Sequence, residues 1–213
     1  MKVIGLELGP FAARAVVLVS GGEALVVDPG FEAEVVIDTV RREDARPRAI
    51  VLTHAHLDHA AGCAALKRAF PDAPLLLHRD ELPLLSNLPS QARLFGLSSP
   101  PAVAEDGLLE DGEKLALGND ELLVRHCPGH SPGHIVLIHE GADPPVAIVG
   151  DVLFAGSIGR TDLWGGSLAA LEHSIRDVLY RLPDATRVIP GHGPETTIGA
   201  EKRGNPFVPD EPG

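Results

Sequence analysis

Short apolar runs broken by turn residues set the rhythm of this chain. Residues 15–19 and 24–27 are β-branched runs separated by Ser20-Gly21-Gly22-Glu23, a pattern that predicts a hairpin. Asp28-Pro29-Gly30 then breaks the chain, and the amphipathic spacing of residues 31–42 predicts a helix. Residues 50–53 read as a buried strand, and 59–70 as a helix with Cys63, Leu66 and Phe70 on one face. Residues 75–78 form a further short strand. The Leu-, Pro- and Ser-rich stretch 81–109 has no clean period, which predicts short helices and loops. Residues 121–127, 134–139 and 146–149 read as strands, the last two joined by a Gly/Asp/Pro turn. The clearest helix spans 167–182, where Leu168, Leu171, Ile175, Val178, Leu179 and Leu182 make one core-facing stripe. Residues 187–189 give a last strand, and the Pro-rich end, 204–213, reads as a flexible tail.

Strands first, helices between and strands again suggest an α/β fold of layered sheets covered by helices, as a single domain over residues 1–213. A 44% hydrophobic content supports a substantial core. The formal net charge of −12 argues against nucleic acid or an anionic membrane as a partner held by general attraction. No apolar run approaches the ~20 residues needed to cross a bilayer. The N-terminal residues lack the apolar stretch of a signal peptide. Two cysteines, Cys63 and Cys127, stand outside any CxxC pair, so a disulfide framework is not expected and the cytoplasm is the expected compartment.

Four segments carry the chemistry, each placed where an apolar run ends. Thr53-His54-Ala55-His56-Leu57-Asp58-His59 follows the run 49–52, and His130 lies in Pro128-Gly129-His130-Ser131-Pro132-Gly133-His134. Asp151 follows Val149-Gly150, and His192 sits in Pro190-Gly191-His192-Gly193. Imidazole and carboxylate groups suit zinc, iron and manganese, and these seven exceed what one ion can use. In an extended segment residues two apart face the same way, so His54 and His56 can grip one ion together. Asp58 and His59, in the turn that follows, can face a second; Asp151 suits a bridge, and His130 and His192 complete the two sites. Between two dications a shared water ionises near neutral pH instead of near ~15.7.

With these motifs in view, the sequence resembles the metallo-β-lactamase superfamily over roughly residues 13 to 207. Its HxHxDH signature matches His54, His56, Asp58 and His59, and the later turns match at His130, Asp151 and His192. The resemblance implies an αββα four-layer sandwich with the metal site at one rim of the two sheets. It assigns His54, His56 and His130 to one metal and Asp58, His59 and His192 to the other, with Asp151 bridging. Asp28 matches the family's aspartate that orients the ligands.

Within the superfamily the resemblance is to small glyoxalase II-like hydrolases of hydroxyacyl thioesters such as S-lactoylglutathione. It is carried by residues 153–162, by Gly165-Gly166-Ser167, and by residues 191–199 continuing through 201–207. This implies attack of a metal-bridging hydroxide on a small-molecule thioester, with two divalent ions, zinc first and iron or manganese as alternates. Asp151 and Asp58 are the expected catalytic groups, Asp151 as bridge and Asp58 as proton shuttle besides ligand. Arg160, Lys202 and Arg203 are candidates to meet substrate carboxylates, ranked behind an internal ion pair with Asp162 for Arg160 and behind a solvated surface for Lys202 and Arg203. His78, His126, His134, His139 and His173 occupy positions of structural histidines, and Cys127 reads as packing. Arg14 stands where relatives often carry Asn, and the sequence runs 21 residues past His192, short of the helical extension that holds glutathione in full-length glyoxalase II. Two rival readings follow. Gly159-Arg160-Thr161-Asp162 also resembles the persulfide dioxygenases, where His54, His130 and Asp151 would make a facial triad for Fe(II). The other rival is a binding module that keeps metal without turnover.

Overall fold

A computed structural model describes residues 1–209 of the protein. Its strands form two six-stranded sheets and one short hairpin. The first sheet has the order β1 (Lys2–Leu8), β2 (Ala13–Ser20), β3 (Glu23–Val27), β4 (Arg46–Val51), β5 (Leu75–Leu77), β6 (Gly107–Leu108). Strands β1 to β3 are antiparallel neighbours, and β3 to β6 run parallel. The expected hairpin is present: Ser20 pairs with Glu23, and Gly21 and Gly22 take φ of 54° and 79°, values that matching strand twist demands and glycine accepts. Helix α1 (Ala33–Arg42) crosses from β3 to β4, with Glu34 in its first turn and Arg41 and Arg42 in its last, each sign complementing the helix dipole. Its Val36, Ile37 and Val40 enter one apolar cluster with Val17, Val26, Ile50, Leu52 and Leu66.

The second sheet collects β7 (Lys114–Leu117), β8 (Asp120–His126), β9 (Ile135–His139), β10 (Val146–Gly150), β13 (Arg187–Pro190) and β14 (Thr196–Thr197), in the order β14-β13-β10-β9-β8-β7. Strands β11 (Leu153–Phe154) and β12 (Ser157–Ile158) pair as the separate hairpin. Every residue of β9 and β10 is buried, which accounts for their unbroken apolar runs. Helix α6 (Leu168–Asp177) starts at Ser167, whose hydroxyl accepts from the Ala170 amide, and it lays Leu171 and Ile175 onto a core with Val136, Ala147, Val149 and Val188. The chain divides into two compact units, one of Met1–Leu109 with Ala116–Glu121, the other of Glu110–Leu115 with the chain from Leu122 onward. Among the described residues no helix is long and apolar enough to cross a membrane.

Several boundaries differ from the sequence reading. The helix expected over 59–70 is two, α2 (Leu57–Ala60) and α3 (Cys63–Ala69). They part at Gly62, where a Cβ would lie only 2.6 Å from the Gly30 carbonyl oxygen. Helix α6 stops at Asp177 and continues as a 3-10 turn, Leu179–Arg181, while Leu168 is 51% exposed, so the core stripe begins at Leu171. The stretch 81–109 holds α4 (Leu82–Ser86) and α5 (Leu88–Leu94), as expected of short helices. The segment read as a flexible tail is pinned through Pro209: α7 (Ile198–Gly204) leads into it, Val208 is fully buried, and Tyr180 Oη donates to the Val208 carbonyl at 2.9 Å. Residues 210–213 of that expected tail lie outside the described residues.

Candidate metal centre

In the first unit, β3 and β4 are parallel neighbours, so their carboxyl ends lie side by side, the place where parallel sheets present ligands. Asp28 follows β3, and Thr53 and His54 follow β4. The Asp28 amide donates to Val51 O at 3.0 Å and fixes the turn. One carboxylate oxygen of Asp28 accepts the Thr53 amide at 2.7 Å, and the other accepts the Thr53 hydroxyl at 2.6 Å. That second oxygen also lies 3.0 Å from His59 Nδ1. The Thr53 hydroxyl gives its proton to Asp28, so at 3.0 Å it is the acceptor for His54 Nδ1. Both imidazoles therefore carry Nδ1–H and keep Nε2 as the basic nitrogen, the form a metal binds.

Donor atoms of Asp28, His54 and His59 lie within 4.8 Å of one another. The His54 ring meets His56 edge-on with centroids 4.8 Å apart and His59 at 4.2 Å. Asp58 Oδ2 stands 3.7 Å from His59 Nε2. Thus His54, His56, Asp58 and His59 form one half-set, with Asp28 behind it in the role expected of an orienting aspartate.

In the second unit the topology gathers the other three. The β8–β9 connection carries His130; β10 is antiparallel to β9 and parallel to β13, so Asp151 and His192 emerge at the same edge. The Gly191 amide donates to Gly150 O at 2.8 Å and ties the two exits together. His130 Nδ1 donates to the Arg160 carbonyl at 2.8 Å, again leaving Nε2 basic. Asp151 Oδ2 lies 3.6 Å from His130 Nε2 and 3.6 Å from His192 Nε2. Those distances are too long for hydrogen bonds. They approach the separation of about 3.4 Å between ligands that share a tetrahedral ion with bonds near 2.1 Å. Imidazoles beside carboxylates, with Nε2 left basic on His54, His59 and His130, suit a borderline divalent metal, so the donor chemistry of both half-sets fits one.

His134, read as structural, anchors the backbone of Asp151, since its Nε2 accepts the Asp151 amide at 3.1 Å. His126 Nε2 meets the Pro132 carbonyl at 3.0 Å, His78 Nδ1 accepts the Asp80 amide at 3.3 Å, His139 is buried in β9, and His173 is an exposed partner of Asp177. Burial pushes the Cys127 thiol up to about 12, so it stays protonated and is no nucleophile at neutral pH. The cations expected to meet substrate already face acids. Arg160 grips Asp162 through two bonds of 2.7 and 2.8 Å, which hold that carboxyl at about 2. Lys202 Nζ reaches Asp184 at 2.8 Å, and Arg203 Nη1 lies 3.6 Å from the same carboxylate.

Sequence reasoning overlooked Glu201, a buried carboxylate that accepts the Gly156 amide and Asn205 Nδ2, both at 2.9 Å, and the Thr196 hydroxyl at 2.6 Å. It braces the β11–β12 hairpin that follows Asp151; no periodicity reveals a bond between positions 45 apart. Gly159 closes that hairpin with its Cα against the Asp151 carbonyl, and an added Cβ would collide with that oxygen and come within 3.2 Å of His130 Cβ. Gly159→Ala is expected to shift both Asp151 and His130 and lower stability by about 1–3 kcal/mol, measured by thermal unfolding.

The pattern of the metallo-beta-lactamase superfamily matches residues 8–192. The chain belongs to the metallo-β-lactamase superfamily. It is thereby a member of a metallo-hydrolase superfamily, and its two sheets with their helices are those of the metallo-β-lactamase fold. The chain is 41% identical over 186 residues to the hydroxyacylglutathione hydrolase GloC of Haemophilus influenzae, covering 87% of each chain. Among solved structures, the BLEG-1 B3 metallo-β-lactamase superposes with TM-score 0.89 at 40% identity, covering 97% of this chain and 99% of the other. TTHA1623, solved in a di-iron-bound form, superposes with TM-score 0.86 at 42% identity, covering 97% of this chain and all of the other.

Proposed function

We propose that the protein is a metal-dependent hydrolase of hydroxyacyl thioesters, with S-lactoylglutathione as the test substrate, and that its two half-sets hold one pair of divalent cations. The observation that carries this reading is the Asp151 carboxylate oxygen standing 3.6 Å from the Nε2 atoms of both His130 and His192, as a group shared between two ions would. The 41% identity to GloC supports a thioester as the first substrate to try. In this reading His54, His56 and His130 hold one cation, Asp58, His59 and His192 hold the other, and Asp151 spans them.

Bound there, the cations supply Lewis acidity and bring the pKa of a shared water toward neutral. Asp28 and Thr53 keep His54 and His59 in the Nδ1–H form, while the Arg160 carbonyl does the same for His130. Asp58, half-buried with its carboxylate 3.7 Å from His59 Nε2, would be placed to accept a proton from a water held there. A thiolate leaves unaided, with a thiol pKa of about 8.5, so no strong general acid is required. The Arg160–Asp162 and Lys202–Asp184 pairs would have to open for those cations to meet substrate carboxylates. Zinc is the first choice of metal, and the di-iron form of TTHA1623 makes iron the second.

The test is metal content by emission spectroscopy on protein purified without chelators, joined to assays with S-lactoylglutathione, a β-lactam panel and glutathione persulfide. Two equivalents with thioester turnover are expected. One iron with oxygen uptake on the persulfide would replace this reading by a dioxygenase, and turnover of β-lactams alone would replace the substrate. His192→Ala is expected to retain one metal equivalent and lose most activity, and unchanged metal content would count against its assignment.

A further inference from the structure

Beyond Leu52, whose amide makes the last ladder bond to Leu76 O at 2.9 Å, the segment bearing His54, His56 and Asp58 leaves its sheet. It nevertheless stays ordered and buried through Leu57. Its alternate amides find side-chain acceptors in place of a neighbouring strand. Thr53 N donates to Asp28 at 2.7 Å, Ala55 N to Glu81 Oε2 at 2.7 Å, and Leu57 N to Gln91 Oε1 at 2.9 Å. The same carboxamide returns a bond from Nε2 to Ala55 O at 3.1 Å and anchors itself on Leu84 O at 3.0 Å. Both polar groups of the Ala55 backbone, between the two histidines, are thus held by side chains from the segment 79–94.

Glu81 is fully buried, and Ala55 beside it is too. Burying a carboxylate is costly, and an apolar residue would fill the space at lower cost, so packing alone does not explain it. Without Glu81 and Gln91 the Ala55 amide and carbonyl would be left buried and unsatisfied. The chain is extended up to His56, where α2 begins, so holding the amides of 53 and 55 along one edge fixes the register in which 54 and 56 present their side chains, and the Leu57 bond fixes where the helix bearing Asp58 starts.

We infer that Glu81 and Gln91 are positioning residues that set the separation of the His54 and His56 donor atoms, acting through the backbone of Ala55 and Leu57. The inference rests on the metal-binding reading above. It adds two residues outside the signature motif, 26 and 36 positions from Ala55, to the determinants of metal affinity.

The test compares apo wild type, Glu81→Ala, Glu81→Gln and Gln91→Ala, using competition for zinc against a chromogenic chelator and the visible spectrum of the cobalt(II) form, with a thermal melt of each apo protein. Wild type must first bind zinc; failure there overturns the metal reading itself, before any variant is compared. Glu81→Ala is expected to weaken zinc binding 10- to 100-fold and Gln91→Ala about tenfold, each with a changed cobalt spectrum. Glu81→Gln, which keeps an acceptor for the Ala55 amide, should stay within about threefold of wild type. Alanine variants with a lowered melting temperature but wild-type zinc affinity and cobalt spectrum would overturn the inference, as would a glutamine variant as weak as alanine. Should Glu81→Ala not fold, Gln91→Ala, at a half-buried site, decides the matter alone.

Discussion

Asp151→Asn is expected to leave a folded protein that binds at most one metal equivalent and hydrolyses the proposed thioester substrate roughly 10³-fold more slowly. The change removes charge and keeps shape. The backbone remains anchored because the Asp151 amide still donates to His134 Nε2, and β10 enters the site unchanged. What disappears is the anionic oxygen 3.6 Å from both imidazoles, replaced by a neutral group that bridges cations poorly. Metal-assisted activation supplies several kcal/mol; losing about 4 kcal/mol at tenfold per 1.36 kcal/mol gives the stated factor. Metal analysis and steady-state turnover on the same preparation provide the check. Two retained equivalents with near wild-type rates would remove Asp151 from the proposed site.

A second large effect is expected from Asp28→Ala. Asp28 is 3% exposed and accepts from the Thr53 amide, the Thr53 hydroxyl and His59 Nδ1. Truncation strands three donors in a buried setting, at about 1–3 kcal/mol each if nothing compensates. A net loss of about 3–5 kcal/mol is expected, since water entering the space recovers part of it. His59 also loses the bond that holds its tautomer, the Thr53 hydroxyl beside His54 loses the acceptor that orients it, and metal affinity should fall 10- to 100-fold. Denaturant unfolding of the apo protein measures the first effect and chelator competition the second. A variant that unfolds like wild type would show that Asp28 only occupies its turn.

The motif histidines and aspartates were legible because their spacing is local: an HxHxDH run and glycine-flanked turns record their geometry within a few residues. The hairpin at Gly21-Gly22 and the burial of β9 and β10 were legible for the same reason. The supports of the site were not. Asp28 reaches Thr53 across 25 positions, Glu81 reaches Ala55 across 26 and Glu201 reaches Gly156 across 45, and side-chain-to-backbone bonds of that span leave no period. Only the family match singles out Asp28. The division of the 59–70 helix escapes notice because Gly62 within a helical pattern signals little until the Gly30 carbonyl it abuts is known. The Arg160–Asp162 pair was legible, being two positions apart, whereas Lys202 and Arg203 look available until Asp184, distant in sequence, is seen beside them.

The closing turn of the chain acts as a stopper. Asn205 holds the amides of Phe207 and Val208 at 3.0 and 3.4 Å, and Arg176 Nη1 caps the Pro209 carbonyl at 2.6 Å. Removing residues 205–209 would therefore uncork an apolar interior in which Val208 is buried.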